Sequence, residues 1–477
     1  MNSMTRRQLF FQGTLGLALG AAAPKKRPNV LFFAVDDLRP ELGCYGVAGI
    51  KSPNIDRLAK RGMVFERAYC QQAVCSPSRT SLMTGARPDS TKVWDLVTHF
   101  RKAMPEVVTL TQHFKQNGYF VQGMGKIFHP GYDDERSWSV AWQTSKAPAY
   151  AGGKGPGEKD EDKPKQKGGP AYEAGEVADD FYKDGQVANL AVQTLRELKS
   201  KKEPFFLAVG FAKPHLPFVS PKRYWDMYDA AKIPMAANPY RPKDAPEFAL
   251  TNSGELRNYP GMPREGAIPP ELARTLKHGY YAAVSYMDAQ VGKVLDELDR
   301  QGLAENTVIV LWGDHGWKLG EHGEWCKHSN VENDTNAPLL MAAPGMKAAG
   351  KHSRALVEFV DIFPTLSELA GLPLPAHLEG TSFKPLLDNP GRAWKKAAFS
   401  QYPRGQKLMG YSMRTERYRF TVWVGRNDHS RIEAVELYDH HTDPQENTNI
   451  AKQQPKLVGE LMEQWRAGWQ GVKKGMG

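Results

Sequence analysis

Residues 75–85 read Cys-Ser-Pro-Ser-Arg-Thr-Ser-Leu-Met-Thr-Gly, with a cysteine, a proline and an arginine at close spacing. Pro77 fits the first turn of a helix, where the missing N–H costs nothing and φ is already near helical. Cys75 is therefore predicted just ahead of a helix N-terminus, where free N–H groups favour an anion. Arg79 follows about one turn later and can point its guanidinium at the same anion. The stretch predicts an oxyanion site with a cysteine at its mouth, although a buried structural cysteine or an ordinary helix start has the same pattern.

Two apolar runs end in polar side chains that could meet. The run at residues 30–35 is followed by Asp36 and Asp37, and the run at residues 307–312 leads to Asp314 and His315. Such runs are typical of strands buried on both faces of a parallel sheet. Ligands of open α/β sheets bind at the carboxyl ends of the strands, so these side chains converge if both strands lie in one sheet. A cluster rich in carboxylate oxygens suits a hard cation, Ca²⁺ or Mg²⁺.

Helical and strand patterns along most of the chain indicate an α/β fold with a large central, mostly parallel sheet flanked by helices. Residues 54–65 are predicted to form a helix that packs on this sheet, and residues 337–343 a further buried strand. From about residue 394 aromatic, charged and β-branched residues alternate, which predicts a smaller C-terminal α+β subdomain with an antiparallel sheet and a final helix. A chain of 477 residues is long enough for both units.

The larger domain is predicted to span residues 24–393 and the C-terminal subdomain residues 394–477. Residues 151–169 are rich in Gly, Lys, Glu and Pro, which predicts a mobile surface loop without a function. Residues 224–270 are proline-rich, and we interpret them as an irregular excursion over the surface.

Residues 1–23 have the pattern of a secretory signal. Arg6 and Arg7 precede a Gly/Ala/Leu-rich stretch that ends at Ala21-Ala22-Ala23, which resembles an Ala-x-Ala cleavage site. The paired arginines favour the twin-arginine route, and an uncleaved anchor is the alternative. No later stretch approaches the ~20 apolar residues of a membrane span. The mature protein is therefore expected in the periplasm or outside the cell, with no membrane contact beyond the export signal.

Composition narrows the class of partner. The net charge of +10 and the pI near 9.1 favour anionic partners. Nucleic acid is a poor candidate, because the chain has no basic helix with interleaved aromatic residues and no recognised nucleic-acid-binding motif. A sulfated glycan fits the same charge. Four cysteines are too few for a disulfide framework in a chain of this length.

The spacing Cys-x-Pro-Ser-Arg followed by Leu-x-Thr-Gly resembles the signature of the type I sulfatases, which belong to the alkaline phosphatase-like superfamily. The resemblance implies that a formylglycine-generating enzyme oxidises Cys75 to formylglycine, whose hydrate is the nucleophile. It also implies one Ca²⁺ ion, held by Asp36, Asp37, Asp314 and the matured Cys75 side chain. His315 stands where many sulfatases carry Asn, so its part as a fifth ligand is less usual.

Further segments resemble sulfatase active-site segments at comparable places along the chain, and they supply cations and imidazoles. Arg79, Lys126 and Lys327 are candidates for neutralising the charge of the sulfate. His129 and His215 are candidates for acid–base work, because imidazole titrates near neutral pH. By the resemblance, His129 steadies the hydroxyl of the nucleophile, while His215 and Lys327 contact the departing sulfate ester.

The resemblance is closest to the iduronate-2-sulfatase branch and covers nearly the whole mature chain. It implies hydrolysis of a 2-O-sulfo-uronic acid ester through a covalent sulfo-enzyme. His328 is a departure, because that branch has an aromatic residue after the active-site lysine. Two alternatives stay open: a phosphodiesterase or phosphonate monoester hydrolase of the same superfamily, and a non-catalytic binder of sulfated glycans in which Cys75 is unmodified.

Overall fold

The apolar run after Pro28 forms the centre of the main sheet. In the computed structural model, which describes residues 26–152 and 168–474, every residue of the strand Asn29–Val35 is buried. Side chains alternate across a strand. Leu31 and Phe33 therefore pack into one apolar core, and Phe32 packs into a second core on the opposite face of the sheet. Burial on both faces explains why this run is continuously apolar rather than alternating.

The strands and helices are numbered in chain order. The strands are β1 (Asn29–Val35), β2 (Met63–Phe65), β3 (Ala68–Tyr69), β4 (Phe120–Gly125), β5 (Tyr172–Gly175), β6 (Phe205–Phe211), β7 (Phe218–Pro221), β8 (Thr307–Gly313), β9 (Lys318–Leu319), β10 (Trp325–Cys326), β11 (Leu339–Ala342), β12 (Lys351–Ser353), β13 (Val357–Glu358), β14 (Ala397–Arg404), β15 (Leu408–Thr415), β16 (Tyr418–Gly425) and β17 (Asp428–Asp439). The helices are α1 (Pro53–Arg61), α2 (Cys75–Thr84), α3 (Pro88–Thr91), α4 (Leu110–Gln116), α5 (Lys183–Leu198), α6 (Lys222–Trp225), α7 (Gly254–Arg257), α8 (Pro270–Arg300), α9 (Glu332–Thr335), α10 (Ile362–Leu369) and α11 (Pro455–Lys474).

The main sheet has the strand order β12-β2-β11-β8-β1-β6-β4. Strands β4, β6, β1 and β8 are parallel neighbours, which confirms the predicted α/β class. Residues 337–343 do contain a buried strand, β11, but it runs antiparallel to both β8 and β2, so this part of the sheet is mixed. Two neighbouring parallel strands are usually joined by a crossover helix. The chain between β8 and β11 forms loops of the site instead, and β11 runs antiparallel to β8.

Helices cover both faces of the sheet, as the α/β prediction requires. Helices α1, α5 and α8 contribute to the core on one face, and α2, α4 and α10 contribute to the core on the other. The predicted helix over residues 54–65 is wrong at its end, because α1 stops at Arg61 and the remaining residues form β2. At Gly62 a Cβ atom would lie 2.7 Å from the Met341 carbonyl oxygen, so the chain turns here against β11.

The C-terminal residues form a second, antiparallel sheet in the order β14-β15-β16-β17, as predicted. Helix α11 packs on it through Leu461, which joins a small core with Phe420 and Leu437. The boundary predicted at residue 394 falls just before β14, and it stays a prediction.

The predicted signal at residues 1–23 lies outside the described residues, and so does most of the predicted loop at residues 151–169. Within the part that is described, no helix combines the length and the apolar character needed to cross a bilayer. All four cysteines are free thiols.

Candidate active site

The ends of β1 and β8 bring their polar residues together, because the two strands are parallel neighbours. The Asp37 N–H donates to Asp314 Oδ1 over 3.0 Å. The Asp314 N–H donates to the Val35 carbonyl oxygen over 3.0 Å. Asp37 adopts a φ of 57°, a left-handed conformation that aspartate tolerates better than most residues. The turn at Asp37 keeps Asp36 and Asp37 at the edge of the sheet, and both side chains are buried.

Helix α2 places Cys75 over the same edge. Pro77 lies in the first turn of the helix, as predicted, whereas Cys75 is its first residue and not the residue ahead of it. The Cys75 Sγ atom lies 3.4 Å from His315 Nε2. The Ser78 hydroxyl donates to the Asp314 carbonyl oxygen, which ties the helix to the loop after β8. Burial and the neighbouring Asp36 raise the pKa of the Cys75 thiol well above its usual value, so an unmodified thiol here is neutral.

Four of the predicted metal ligands form one buried group. Asp36, Asp37, Cys75 and His315 each offer a ligand atom, and these atoms all lie within 4.8 Å of one another. Asp314 borders the group, with its Oδ1 atom 3.6 Å from His315 Nε2. With Asp314 the set has three carboxylates, which fit a hard divalent cation, whereas the Cys75 thiol and the His315 imidazole are the less usual members.

The two neighbouring aspartates differ in their electrostatics. Burial alone would raise the pKa of Asp36, but Lys126, His215 and Arg79 outweigh it and hold that pKa well below its usual value. For Asp37 burial prevails, with help from the charge of Asp36, and the pKa is raised. A carboxylate that is costly to ionise gains most from a cation placed beside it.

Arg79 is fully buried, and its donors contact carboxylates and carbonyl oxygens of the protein. Its Nε donates to Asp314 Oδ2 over 2.8 Å, and its Nη2 lies 3.5 Å from Asp36 Oδ1. Its Nη1 donates to the carbonyl oxygens of Lys126 and Ile127. A guanidinium has five N–H donors, and carboxylates and carbonyls occupy most of these. Arg79 therefore holds the aspartates and the loop after β4, and its contact with an anion beside Cys75 stays a prediction.

The loop after β4 carries Lys126 and His129. The Lys126 amine donates to Asp36 Oδ2, and both groups are buried. Burial and the positive charge of Lys126 lower the pKa of His129 to about 4, so its ring is neutral near pH 7. Its Nδ1 atom is buried and has no hydrogen-bond partner among the described residues.

His215 and Lys327 come from different loops and meet over Asp37. The Lys327 amine lies 3.1 Å from both carboxylate oxygens of Asp37, and His215 Nε2 lies 3.8 Å from Asp37 Oδ2. Lys327 also lies over the ring of Trp317, at 4.8 Å from the ring centroid. Burial alone would lower the pKa of Lys327, but Asp37 and Glu255 raise it well above the usual value. The amine therefore stays charged although it is buried.

Glu255 is the site residue that sequence reasoning missed. It lies on α7, inside the stretch predicted as a surface excursion, and its side chain is only 15% exposed. Its Oε1 lies 3.0 Å from His215 Nε2, and its Oε2 lies 2.8 Å from Lys327 Nζ. The neighbouring Leu256 and Tyr259 are buried in the core. That part of the excursion is therefore an inward loop, and no local pattern distinguishes its glutamate from a solvated one.

His328 stands at the rim beside this group. Its φ of 95° is unusual for a residue with a side chain. Its ring is edge-on to Tyr402 at 6.0 Å between centroids, and its Nε2 lies 3.9 Å from Glu255 Oε2. Burial and Lys327 lower the pKa of His328 to about 3, so its ring is neutral near pH 7.

Comparison with known proteins agrees with this geometry. Residues 28–372 match the family described as Sulfatase, and residues 320–467 match the family described as N-sulphoglucosamine sulphohydrolase, C-terminal. The chain is 36% identical to the iduronate 2-sulfatase of Mus musculus, over 93% of this chain and 96% of that protein. It is also 36% identical to the iduronate 2-sulfatase of Homo sapiens, over 88% of this chain and 90% of that protein.

The chain belongs to the sulfatase family. This sulfatase is thus a sulfuric ester hydrolase, which confirms the predicted reaction class. Its fold also resembles a phosphonate monoester hydrolase of Agrobacterium radiobacter, with a TM-score of 0.74 and 23% identity over 92% of this chain and 95% of that one. A structure solved with D-glucosamine-2-N,6-O-disulfate as substrate is similar as well, with a TM-score of 0.73 and 24% identity over 94% and 99% of the two chains. These two likenesses concern the fold.

Proposed function

We propose that this sulfatase removes sulfate from 2-O-sulfated uronic acid residues of a sulfated oligo- or polysaccharide. Its 36% identity to two iduronate 2-sulfatases over most of both chains supports the sugar. The net charge of +10 suits a polyanionic substrate. The observation that carries the chemistry is the position of Cys75, at the start of α2 and within 4.8 Å of the carboxylates of Asp36 and Asp37.

The proposal requires that a formylglycine-generating enzyme convert Cys75 to formylglycine. The hydrated aldehyde would supply one hydroxyl that attacks sulfur as the bond between sulfur and the sugar oxygen breaks. Deprotonation of its second hydroxyl would then release sulfate and restore the aldehyde. We assign Asp36, Asp37, Asp314, His315 and the matured residue 75 as the ligands of one Ca²⁺ ion. When bound, Ca²⁺ supplies a positive charge that polarises a sulfate oxygen.

The remaining residues are assigned by their positions. Lys126 and Lys327 supply buried positive charge for the sulfate oxygens. His215 is 23% exposed and meets the leaving sugar oxygen, to which it gives a proton. His129, whose buried Nδ1 has no partner in the part of the chain that the structure describes, steadies the nucleophile's hydroxyl. Arg79 fixes the carboxylates that hold the metal.

The direct test is sulfate release by enzyme produced together with the formylglycine-generating enzyme. Disaccharides that end in 2-sulfo-iduronate or unsaturated 2-sulfo-uronate are compared with sugars sulfated elsewhere and with an aryl phosphodiester, and the Cys75→Ala variant is the control. We expect release from the 2-sulfated uronates alone. Release only from other sugars would discard the uronate, and preferred cleavage of the phosphodiester would make this a phosphodiesterase.

The modification has its own test. Mass spectrometry of the proteolytic peptide that carries residue 75 distinguishes an aldehyde from a thiol. We expect the aldehyde in active enzyme. An unconverted thiol, together with tight binding of sulfated glycan and no turnover, would support the alternative of a non-catalytic binder.

We also propose export by the twin-arginine route to the periplasm or the medium, on the basis of Arg6 and Arg7. Cell fractionation of the full chain and of a variant with both arginines changed to lysine tests this. Retention of the variant in the cytoplasm is expected, and equal export of both proteins would contradict the assigned route.

A further inference from the structure

We infer that Glu255 is a positioning residue of the sulfatase reaction, which holds His215 and Lys327 in place over Asp37. The inference rests on the proposed function, in which His215 and Lys327 meet the sulfate ester. It adds a residue that belongs neither to the signature around Cys75 nor to the carboxylate cluster after β1 and β8.

The carboxylate of Glu255 bridges the two cationic side chains. One oxygen lies 3.0 Å from His215 Nε2 and the other 2.8 Å from Lys327 Nζ. The other ring nitrogen of His215, Nδ1, lies 2.5 Å from the Leu216 carbonyl oxygen. Rotation of the imidazole would break both contacts at once. The ring is therefore held from both sides. The backbone of Leu216 holds one side, and the side chain of Glu255 holds the other.

Lys327 is buried between two carboxylates. Its side chain is 2% exposed, and its anionic neighbours are Asp37 and Glu255. Asp37 is shared with the cluster assigned to the metal, whereas Glu255 lies outside that cluster. The pair of Lys327 and Glu255 places a charged amine and a charged carboxylate where water is largely excluded.

The backbone around Glu255 is held by residues outside its own loop. The Trp325 N–H donates to the Ser253 hydroxyl over 2.8 Å, and the Thr251 N–H donates to Glu324 Oε1. In both hydrogen bonds one partner belongs to the chain segment that leads into Lys327. The loop of Glu255 and the loop of Lys327 are thus bonded to each other, so the carboxylate has a defined position relative to the amine.

The kinetic consequence follows from geometry. A proton donor that is misplaced by about 1 Å can cost about 100-fold in rate. The loss is greatest when the leaving oxygen needs a proton, as a sugar alkoxide does, and smallest for a phenolate, which leaves without one. Loss of Glu255 should therefore slow sugar sulfates much more than an aryl sulfate.

The experiment compares Glu255→Gln and Glu255→Asp with the wild type on a 2-sulfo-uronate disaccharide and on an aryl sulfate. For Glu255→Gln we expect kcat on the sugar to fall by about 10- to 100-fold, with a change of only a few-fold on the aryl sulfate. Glu255→Asp should recover part of the loss, since it keeps the charge. Glu247→Gln, an exposed glutamate of the same excursion, is the matched control and should equal the wild type.

A second readout is independent of the sugar. In protein labelled with ¹⁵N-histidine, the Nε2 signal of His215 should shift in Glu255→Gln and stay unchanged in Glu247→Gln. Unchanged ring signals, or equal losses on both substrates without recovery in Glu255→Asp, would overturn the inference. Wild-type enzyme that fails on the disaccharide but cleaves the aryl sulfate would discard the uronate, and the ring signals would still decide the role of Glu255.

Discussion

The Arg79 Nε atom lies 2.8 Å from Asp314 Oδ2, and both side chains are completely buried. Breaking a buried ion pair by removing one partner leaves an uncompensated charge and typically costs about 3–5 kcal/mol. We therefore expect Arg79→Ala to lower the free energy of unfolding by about that amount, in addition to its effect on turnover. Denaturant unfolding followed by tryptophan fluorescence measures this loss.

The matched control for Arg79 is Arg136, which pairs with Glu106 over 3.3 Å at the surface, with both side chains more than half exposed. Exposed pairs contribute about 0–1 kcal/mol, so Arg136→Ala should be nearly neutral. If Arg79→Ala unfolded at the same denaturant concentration as the wild type, the buried pair would have no structural role.

Binding of Ca²⁺ should stabilise the fold. The clustered carboxylates of Asp36 and Asp37 are buried, and a cation bound only by the folded state stabilises it by about 2.7 kcal/mol at a concentration 100 times its Kd. We expect Ca²⁺ to raise the melting temperature of chelator-treated protein and to restore sulfatase activity. Asp37→Ala should lose both responses, whereas Asp226→Ala, at an exposed aspartate far along the chain, should keep them.

Much of the fold was predictable from local patterns, and part of the site was not. The aspartates after β1 and β8 were found because buried parallel strands end at one edge of a sheet. Cys75 was singled out because Cys-x-Pro-Ser-Arg followed by Leu-x-Thr-Gly is a long and distinctive pattern, and its role stays a prediction. Glu255 was missed because its position depends on a long irregular segment that folds back into the core. No local sequence pattern predicts its contacts with His215 and Lys327.

The same limit applies to the direction of β11 and to the partners of Arg79. An apolar run indicates burial but carries no sign of strand direction, which depends on the path of the connecting chain. The guanidinium of Arg79 was expected near an anion, and it lies beside the carboxylates of Asp314 and Asp36. Which carboxylates and carbonyls take its donors depends on three segments meeting in space.

The acid stability of the C-terminal subdomain should depend on Glu332. Its Oε2 lies 3.2 Å from Arg414 Nε and also accepts from Arg419, so it links α9 to the antiparallel sheet. Burial alone would raise its pKa, but the two arginines lower it to about 2. Because the folded-state pKa lies below the unfolded value, this contribution is complete above about pH 4.5 and is lost as the pH falls toward 2.

We therefore expect Glu332→Gln to be less stable than the wild type at pH 7 and to lose less stability between pH 4.5 and pH 2. Unfolding free energies measured across this range provide the comparison. Glu416→Gln, at a glutamate whose side chain is 81% exposed, is the control and should follow the wild type. Equal pH slopes for Glu332→Gln and the wild type would show that the link between α9 and the sheet does not titrate.

Arg404 should hold the loop that precedes Glu255. It lies at the end of β14 and donates to the carbonyl oxygens of Phe248 and Ala249, the first through Nε over 2.5 Å. Removal leaves these carbonyls without their partner, so we expect Arg404→Ala to increase hydrogen exchange around residues 246–257. The kcat on the sugar sulfate should fall as well, but less than in Glu255→Gln, because the carboxylate itself remains.

The control is Arg431→Ala, at a largely exposed arginine of the same sheet, which should change neither the hydrogen exchange nor the kcat. Unaltered exchange in Arg404→Ala would mean that contacts such as that of Ser253 with the Trp325 N–H are sufficient to hold the loop.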